Sequence, residues 1–160
     1  MGEREKLGRA SSKTMTVTGN LSVAGTLTVG GQTQVTGGPT KNIKVALAAV
    51  DTAGGIFAWQ NPEAGTIIIK RVMISVTTIA TGACTIAVGT TATNATTSSN
   101  NLMDALDVHS ATGLFDNLLT PGTAGKAQQT LASGKWVTGS KASGASAGIV
   151  GSAYIEYFLA

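Results

Sequence analysis

The sequence predicts an all-β protein in which an N-terminal intertwined trimeric β-helix-like stem precedes an antiparallel, jelly-roll-like β-sandwich head. Two observations support this fold class. A six-residue repeat runs through residues 14–38, and residues 39–160 consist of short β-branched or alternating apolar segments separated by glycine-rich turns. We therefore predict a charged arm at 1–13, a trimerisation stem at 14–38 and a head at 39–160.

The composition argues against several classes of protein. Charged residues make up 12% of the chain and aromatic residues 4%, which is unlike a charged helical enzyme or a coiled coil. The formal net charge is only +3, so we expect no basic face of the kind that binds nucleic acid. The charged N-terminus has no apolar run behind it, and no stretch approaches the ~18 apolar residues of a membrane span. We expect neither a signal peptide nor a membrane partner.

Four hexapeptide units make up the predicted stem. Within the units the first and third positions are mostly apolar and enclose a polar residue, which is the alternation of a strand with one buried face. The predicted trimer core consists of Met15, Val17, Leu21, Val23, Leu27, Val29 and Val35. A glycine recurs at every sixth position, where the chain must turn through conformations that are costly for other residues. These predicted corners are Gly19, Gly25, Gly31 and Gly37.

A single chain cannot bury the apolar face of this repeat. A three-sided coil uses three hexapeptides per circuit, so four units complete little more than one circuit. Three chains wound around one axis would supply enough faces for a continuous core, and we therefore predict that residues 14–38 form a homotrimer. The alternative is a pair of ordinary β-hairpins, because the same glycines also fit hairpin turns.

The segment TVTGNLSVAGTLTVGG resembles the glycine-punctuated β-helical shafts of bacteriophage fibre and spike proteins. This resemblance implies a homotrimer whose N-terminal end is the attachment end. The candidate docking residues in the arm are Arg4, Lys6 and Arg9, although the composition of the arm also fits a frayed terminus. The head, from FAWQNPEAGTIIIKRVMISVTT through GSKASGASAGIVGSAYIEY, resembles small proteins encoded among phage head and tail genes.

In the head, turn residues separate a series of short predicted strands. The clearest of these are residues 43–47, 56–60, 66–79, 83–89, 135–140 and 149–160. Thr81 and Gly82 predict a hairpin turn between the strands at 66–79 and 83–89. Residues 101–106 predict a single helical turn, and residues 120–134 predict a long loop.

Few residues of the chain are candidates for catalysis or metal binding. We interpret Cys84 as a buried small hydrophobic residue, and His109 as a loop histidine without a partner motif. Asp104, Asp107 and Asp116 are candidate calcium ligands, but they lack the dense alternate spacing of a calcium loop, so surface carboxylates are the simpler interpretation. We predict no enzyme activity, no cofactor and no metal.

These expectations favour a structural virion protein, made in the host cytoplasm and then assembled into the particle. A homotrimeric capsid decoration (cement) protein or short head fibre would dock on the major capsid protein or another virion protein and display the sandwich. The alternative is a tail-fibre or spike tip that binds a host surface receptor. That function predicts exposed aromatic anchors near Trp59 or Trp136, whereas a place in the core or in a subunit interface is the other interpretation of both tryptophans.

Overall fold

A computed structural model describes residues 27–29, 32–34, 40–49, 55–94 and 99–160. Every regular secondary-structure element within these ranges is a β-strand. The chain divides into two compact units, residues 1–36 and residues 37–160. Within the described ranges, no helix is long and apolar enough to cross a membrane.

The first unit contains one pair of short strands within its described residues. These are β1 (Leu27–Val29) and β2 (Gln32–Gln34), which pair antiparallel with Thr28 opposite Thr33. Two glycines separate the strands in the sequence. Within one chain this pairing is the one that the hairpin alternative predicts, and the trimeric stem stays a prediction about the assembly of three chains.

The described part of the second unit contains nine strands in two antiparallel sheets. The strands are β3 (Lys41–Ala46), β4 (Gly55–Gln60), β5 (Ile67–Thr78), β6 (Cys84–Thr91), β7 (Met103–Asp107), β8 (Gly113–Asp116), β9 (Gln129–Leu131), β10 (Trp136–Gly144) and β11 (Val150–Leu159). The order of the first sheet is β4-β10-β6-β7, and the order of the second is β3-β11-β5-β8, with β9 also paired to β5. This arrangement is compatible with the predicted β-sandwich.

Side chains from both sheets contribute to one hydrophobic core. Ile56, Ile86 and Val137 of the four-stranded sheet belong to the same buried cluster as Ile74 and Ile155 of the five-stranded sheet. Full burial of an aliphatic side chain of this size stabilises a fold by roughly 1.5–3 kcal/mol. The core therefore joins the two sheets across their inner faces.

The apolar alternation of residues 149–160 predicts that Ala153, Ile155, Tyr157 and Leu159 share one face of β11. Ala153, Ile155 and Tyr157 are buried, whereas Leu159, predicted on the same face, is 41% exposed at the end of the strand. The inward face of β11 is thus confirmed for three of its four predicted residues, and burial is lost where the strand ends.

The predicted hairpin between the strands at 66–79 and 83–89 is wrong. β5 pairs with β11, β8 and β9, whereas β6 pairs with β10 and β7, so the chain passes from one sheet to the other. Contacts distant in sequence hold this connection: the N–H of Ala80 donates to the Val108 carbonyl at 3.0 Å, and the N–H of Thr81 donates to the Ala147 carbonyl at 2.9 Å. Local alternation shows which face of a strand is buried and leaves its partner strand undetermined.

The predicted helical turn at 101–106 is also wrong, because Met103–Asp107 form β7 and pair with β6. Both Met103 and Leu106 are buried, although residues three apart point to opposite faces of a regular strand. The ladder between β7 and β6 shifts register here, and Ala105 has a φ of 53°, as in a bulge that turns both side chains inward. The predicted loop at 120–134 likewise contains the short strand β9.

Candidate functional site

Most residues predicted to act in the arm and stem lie outside the described part of the chain. They are Arg4, Lys6, Arg9, Met15, Val17, Leu21, Val23, Val35, Gly19, Gly25, Gly31 and Gly37. Leu27 and Val29 belong to β1, where the backbone pairing is described and the side chains are not. The candidate surfaces that the structure describes therefore belong to the second unit.

The three aspartates considered as calcium ligands each stabilise a separate local structure. Asp104 accepts hydrogen bonds from Asn100 at 3.0 Å and from the N–H of Ala124 at 3.3 Å. Asp107 accepts the hydroxyl of Ser110 at 2.5 Å and backbone N–H groups, and these bonds lower the pKa of its carboxyl. Among the described residues, no three His, Cys, Asp or Glu side chains form a group that could hold a metal ion.

Asp116 is the most constrained of these carboxylates. It is 5% exposed, and burial alone would raise the pKa of its carboxyl. Hydrogen bonds from Arg71 and from the N–H groups of Leu119 and Leu118 outweigh that effect and hold the pKa below its usual range. The two N–H groups lie 2.8 Å from the same carboxylate oxygen, and the Asp116 carbonyl accepts both the N–H and the hydroxyl of Thr120 at 2.8 Å.

Asn117 fixes the same turn from its other side. Its side chain is fully buried, and its amide nitrogen donates to the carbonyls of Lys126 and Ala127 at 2.9 and 2.8 Å. Its amide oxygen accepts the N–H of Val72 at 2.7 Å, and its own N–H donates to the Val72 carbonyl at 3.1 Å. The turn after β8 is therefore anchored both to β5 and to the loop before β9.

Three exposed leucines lie at this anchored turn and in the strand before it, Leu114 within β8 and Leu118 and Leu119 in the turn itself. Leu114 is 62% exposed, Leu118 48% and Leu119 82%, and all three fall within six consecutive positions. A single exposed leucine is ordinary, whereas several on one rigid segment are typical of an interaction surface. We call these three residues the leucine turn. No pattern in the sequence distinguished them from core leucines.

An apolar groove lies between the edge strands β3 and β4. Its volume is about 410 Å³, and Val45, Ala48, Ile56 and Ala58 are among its lining residues. Among its described lining residues, Asn94 has the one polar side chain. The sequence could not predict this groove, because it forms where edge strands of two different sheets come together.

A polar cluster joins β3 and β11 to the turn after β4. Lys41 Nζ lies 2.6 Å from Glu63 Oε1, and the Tyr157 hydroxyl donates to the same oxygen at 3.0 Å. The bond from Lys41 lowers the pKa of Glu63, with a smaller contribution from Tyr157, and burial together with Glu63 raises the pKa of Tyr157. A carboxylate bonded to a cation and a phenol is suited to fastening these three segments together.

The two tryptophans occupy different positions. Trp59 packs against the core, and its ring centroid lies 5.0 Å from that of Tyr157, as the core interpretation predicts. Trp136 is half-buried and lies opposite Gln60 and Thr91 on the neighbouring strands. Neither side chain is fully exposed.

Cys84 and His109 occupy structural positions. Cys84 is 3% exposed, as predicted for a small buried hydrophobic residue, and burial raises the pKa of its thiol. His109 Nδ1 lies 2.8 Å from the Ala80 carbonyl, and the backbone N–H of His109 donates to the Asp107 carboxylate. A buried thiol with a raised pKa is a poor nucleophile, because the thiolate is the reactive form.

Comparison of the chain with protein-family models, curated proteins and solved structures found no match. Inference of the function therefore depends on the residues of this chain and on their geometry.

Proposed function

We propose that this chain is a structural protein of a bacteriophage virion, a homotrimeric capsid decoration (cement) protein or short head fibre. The observation that carries the proposal is the strand order of the head, β3-β11-β5-β8 in one sheet and β4-β10-β6-β7 in the other. Eight antiparallel strands connected in this order correspond to a jelly roll, with β9 as an addition. Jelly rolls form many viral capsid domains and also occur in lectins.

The arrangement of polar side chains supports a structural protein over an enzyme. Catalysis needs a nucleophile or base held next to a group that stabilises developing charge. Among the described residues, Cys84 is buried, His109 bonds to a backbone carbonyl, and Asp107 and Asp116 bond to their own turns. His109, Asp107 and Asp116 thus contribute to holding loops, and Cys84 belongs to the core.

The sequence of the N-terminal region supports assembly and attachment. The hexapeptide repeat at 14–38 has an apolar face that three copies could bury together, and the charged arm at 1–13 precedes it. In this proposal, three stems wind around one axis, and the arm docks on the major capsid protein or another virion protein. The head is then displayed on the particle surface.

One observation favours the alternative of a tail-fibre or spike tip that binds a host receptor. Trp136 lies opposite Thr91, and a cavity of about 270 Å³ nearby is lined by residues that include Thr90, Thr130 and Lys135. The hydroxyl and amine groups that line this cavity are suited to polar contacts with a glycan.

Immunoelectron microscopy of phage particles from the strain that carries this gene tests the proposal. An antibody against residues 39–160 is expected to label the capsid surface, and particles assembled with a chain lacking residues 2–13 are expected to lose that label. Label confined to the tail tip would favour the receptor-binding alternative. Particles that bind no antibody would overturn both functions.

A further inference from the structure

β3 is the one described strand of the head in which no residue is buried. Lys41, Ile43 and Val45 are partly buried and alternate with exposed residues, and the strand pairs with β11 alone, at one edge of its sheet. Segments with few buried apolar contacts open at a lower free energy than the core of a fold. We therefore expect β3 to open more readily than β5 or β11.

The C-terminal end of β3 is anchored in the core. Leu47, which follows the strand, is 8% exposed, and its N–H donates to the Gly151 carbonyl at 3.0 Å. The N–H of Ala48 donates to the Ile56 carbonyl of β4 at 2.8 Å. These bonds hold this end of the strand to both sheets, so opening of β3 is expected to begin at the other end.

A single carboxylate holds the side chain of the first residue of β3. Lys41 Nζ lies 2.6 Å from Glu63 Oε1, and the same oxygen accepts the Tyr157 hydroxyl at 3.0 Å. The turn that carries Glu63 is itself fixed, because Asn61 Oδ1 accepts the Glu63 N–H and the Ser133 hydroxyl donates to the Glu63 carbonyl. The carboxylate therefore fastens the start of β3 to β11 and to the turn after β4.

We infer that β3 is a strap that opens separately from the rest of the head, and that the Glu63 carboxylate is the latch that holds it closed. Release of the latch frees the strap from Lys41 onwards, while Leu47 keeps it attached. Opening exposes the edge of β11 along residues 152–157, whose backbone groups can then pair with another strand. This device lies within one chain, so it does not depend on the proposed homotrimer.

The latch is expected to respond to acid. Among the described residues, the ionisable groups that contact the Glu63 carboxylate are Lys41 of β3 and Tyr157 of β11, and their hydrogen bonds lower its pKa below the ordinary value of 4.5. Lysine and tyrosine side chains stay protonated in acid, so Glu63 is the member of the three that titrates. The stabilisation is complete above the ordinary pKa and is lost as the pH falls from there through the folded pKa.

Hydrogen–deuterium exchange of the full-length chain, followed by mass spectrometry of peptides from β3 and β5, tests the strap. Glu63→Gln removes the charge of the latch and keeps the size of the side chain. Lys41→Met breaks the same ion pair from its more exposed partner. Glu156→Gln is the matched control, because the ion pair between Lys70 and Glu156 at 2.9 Å joins β11 to β5 and leaves β3 out.

The unmodified chain is expected to exchange faster in β3 than in β5 at neutral pH. Glu63→Gln and Lys41→Met should each raise the β3 rate several-fold with β5 unchanged, and Glu156→Gln should leave β3 unchanged. In acid, after correction for the intrinsic exchange rate, β3 of the unmodified chain should reach the rate of Glu63→Gln.

Equal protection of β3 and β5 in the unmodified chain would overturn the strap. Faster exchange spread over all strands of the Glu63 variant would overturn separate opening. A β3 rate that neither latch variant changes, or that both latch variants and the control raise alike, would overturn the role of Glu63. A difference between the unmodified chain and Glu63→Gln that persists in acid would overturn the response to pH.

Discussion

The guanidinium of Arg71 donates a hydrogen bond to the carboxylate of Asp116, and this pair ties β5 to the end of edge strand β8. The same carboxylate accepts the N–H groups of Leu118 and Leu119. One buried acidic side chain therefore connects the sheet to the turn that displays the exposed leucines. The shape of the leucine turn depends on that connection.

Replacing Asp116 by alanine is expected to destabilise the head. The substitution leaves Arg71 and two backbone N–H groups without their acceptor, and loss of such partners costs about 1–3 kcal/mol. The free energy of urea-induced unfolding measures the effect. Asp116→Asn is the matched control, because the amide oxygen can still accept the N–H of Leu118 and Leu119, so a smaller loss is expected. Equal stability of the alanine variant and the unmodified chain would contradict this role.

The contribution of Asp116 to stability is expected to depend on pH. Its folded pKa lies below the ordinary value of 3.8, so the unfolded chain binds the proton more readily than the folded chain. The stabilisation is therefore complete above the ordinary pKa and is lost as the pH falls from there through the folded pKa. Unfolding free energies of the unmodified chain and Asp116→Asn should differ by a constant amount near neutral pH and converge in acid. A difference that stays the same in acid would exclude this linkage.

A side chain at Gly139 in β10 is expected to lower the stability of the head. A Cβ at this position would overlap the ring of Phe57, which is 5% exposed and has little room to move. Gly139→Ala should therefore cost about 1–3 kcal/mol through overpacking, measured as a lower melting temperature. Gly65→Ala is the control, since a Cβ there would meet no atom within 4 Å. A Gly139→Ala chain as stable as the control would show that Phe57 can shift at no cost.

The sequence predicted the strands whose signal is local. β5 is a long, mostly apolar run and β11 an alternating one, and Ile155 on the predicted inner face of β11 is buried. Cys84 was likewise placed correctly by its alternation in β6. Such patterns report burial directly, because the period of a strand fixes which side chains share a face.

The sequence could not predict features that depend on distant partners. β8 has four residues and β9 has three, and both exist as strands because they pair with β5. The bulge at Ala105 also needs the β6 ladder, which explains why the apolar spacing of 101–106 resembled a helical turn. The leucine turn and the β3–β4 groove were missed for the same reason, because each is created by the packing of strands far apart in the chain.

Val23→Asp is expected to abolish trimerisation. In the predicted stem, Val23 lies on the inner face, so the substitution would place three unpaired carboxylates in one layer of the core. Sedimentation velocity should then show single chains or aggregates. Ser22→Asp is the matched control, because the neighbouring position faces outward in the predicted alternation and its charge stays in water. Normal trimers from the Val23 variant would contradict the stem.

The most direct test of the homotrimer is the solution mass of the full-length chain by light scattering. We expect the mass of three 16.0 kDa chains, and a smaller mass once residues 1–38 are removed. A full-length chain that has the mass of one chain at every concentration would contradict the trimeric stem and would favour the hairpin alternative.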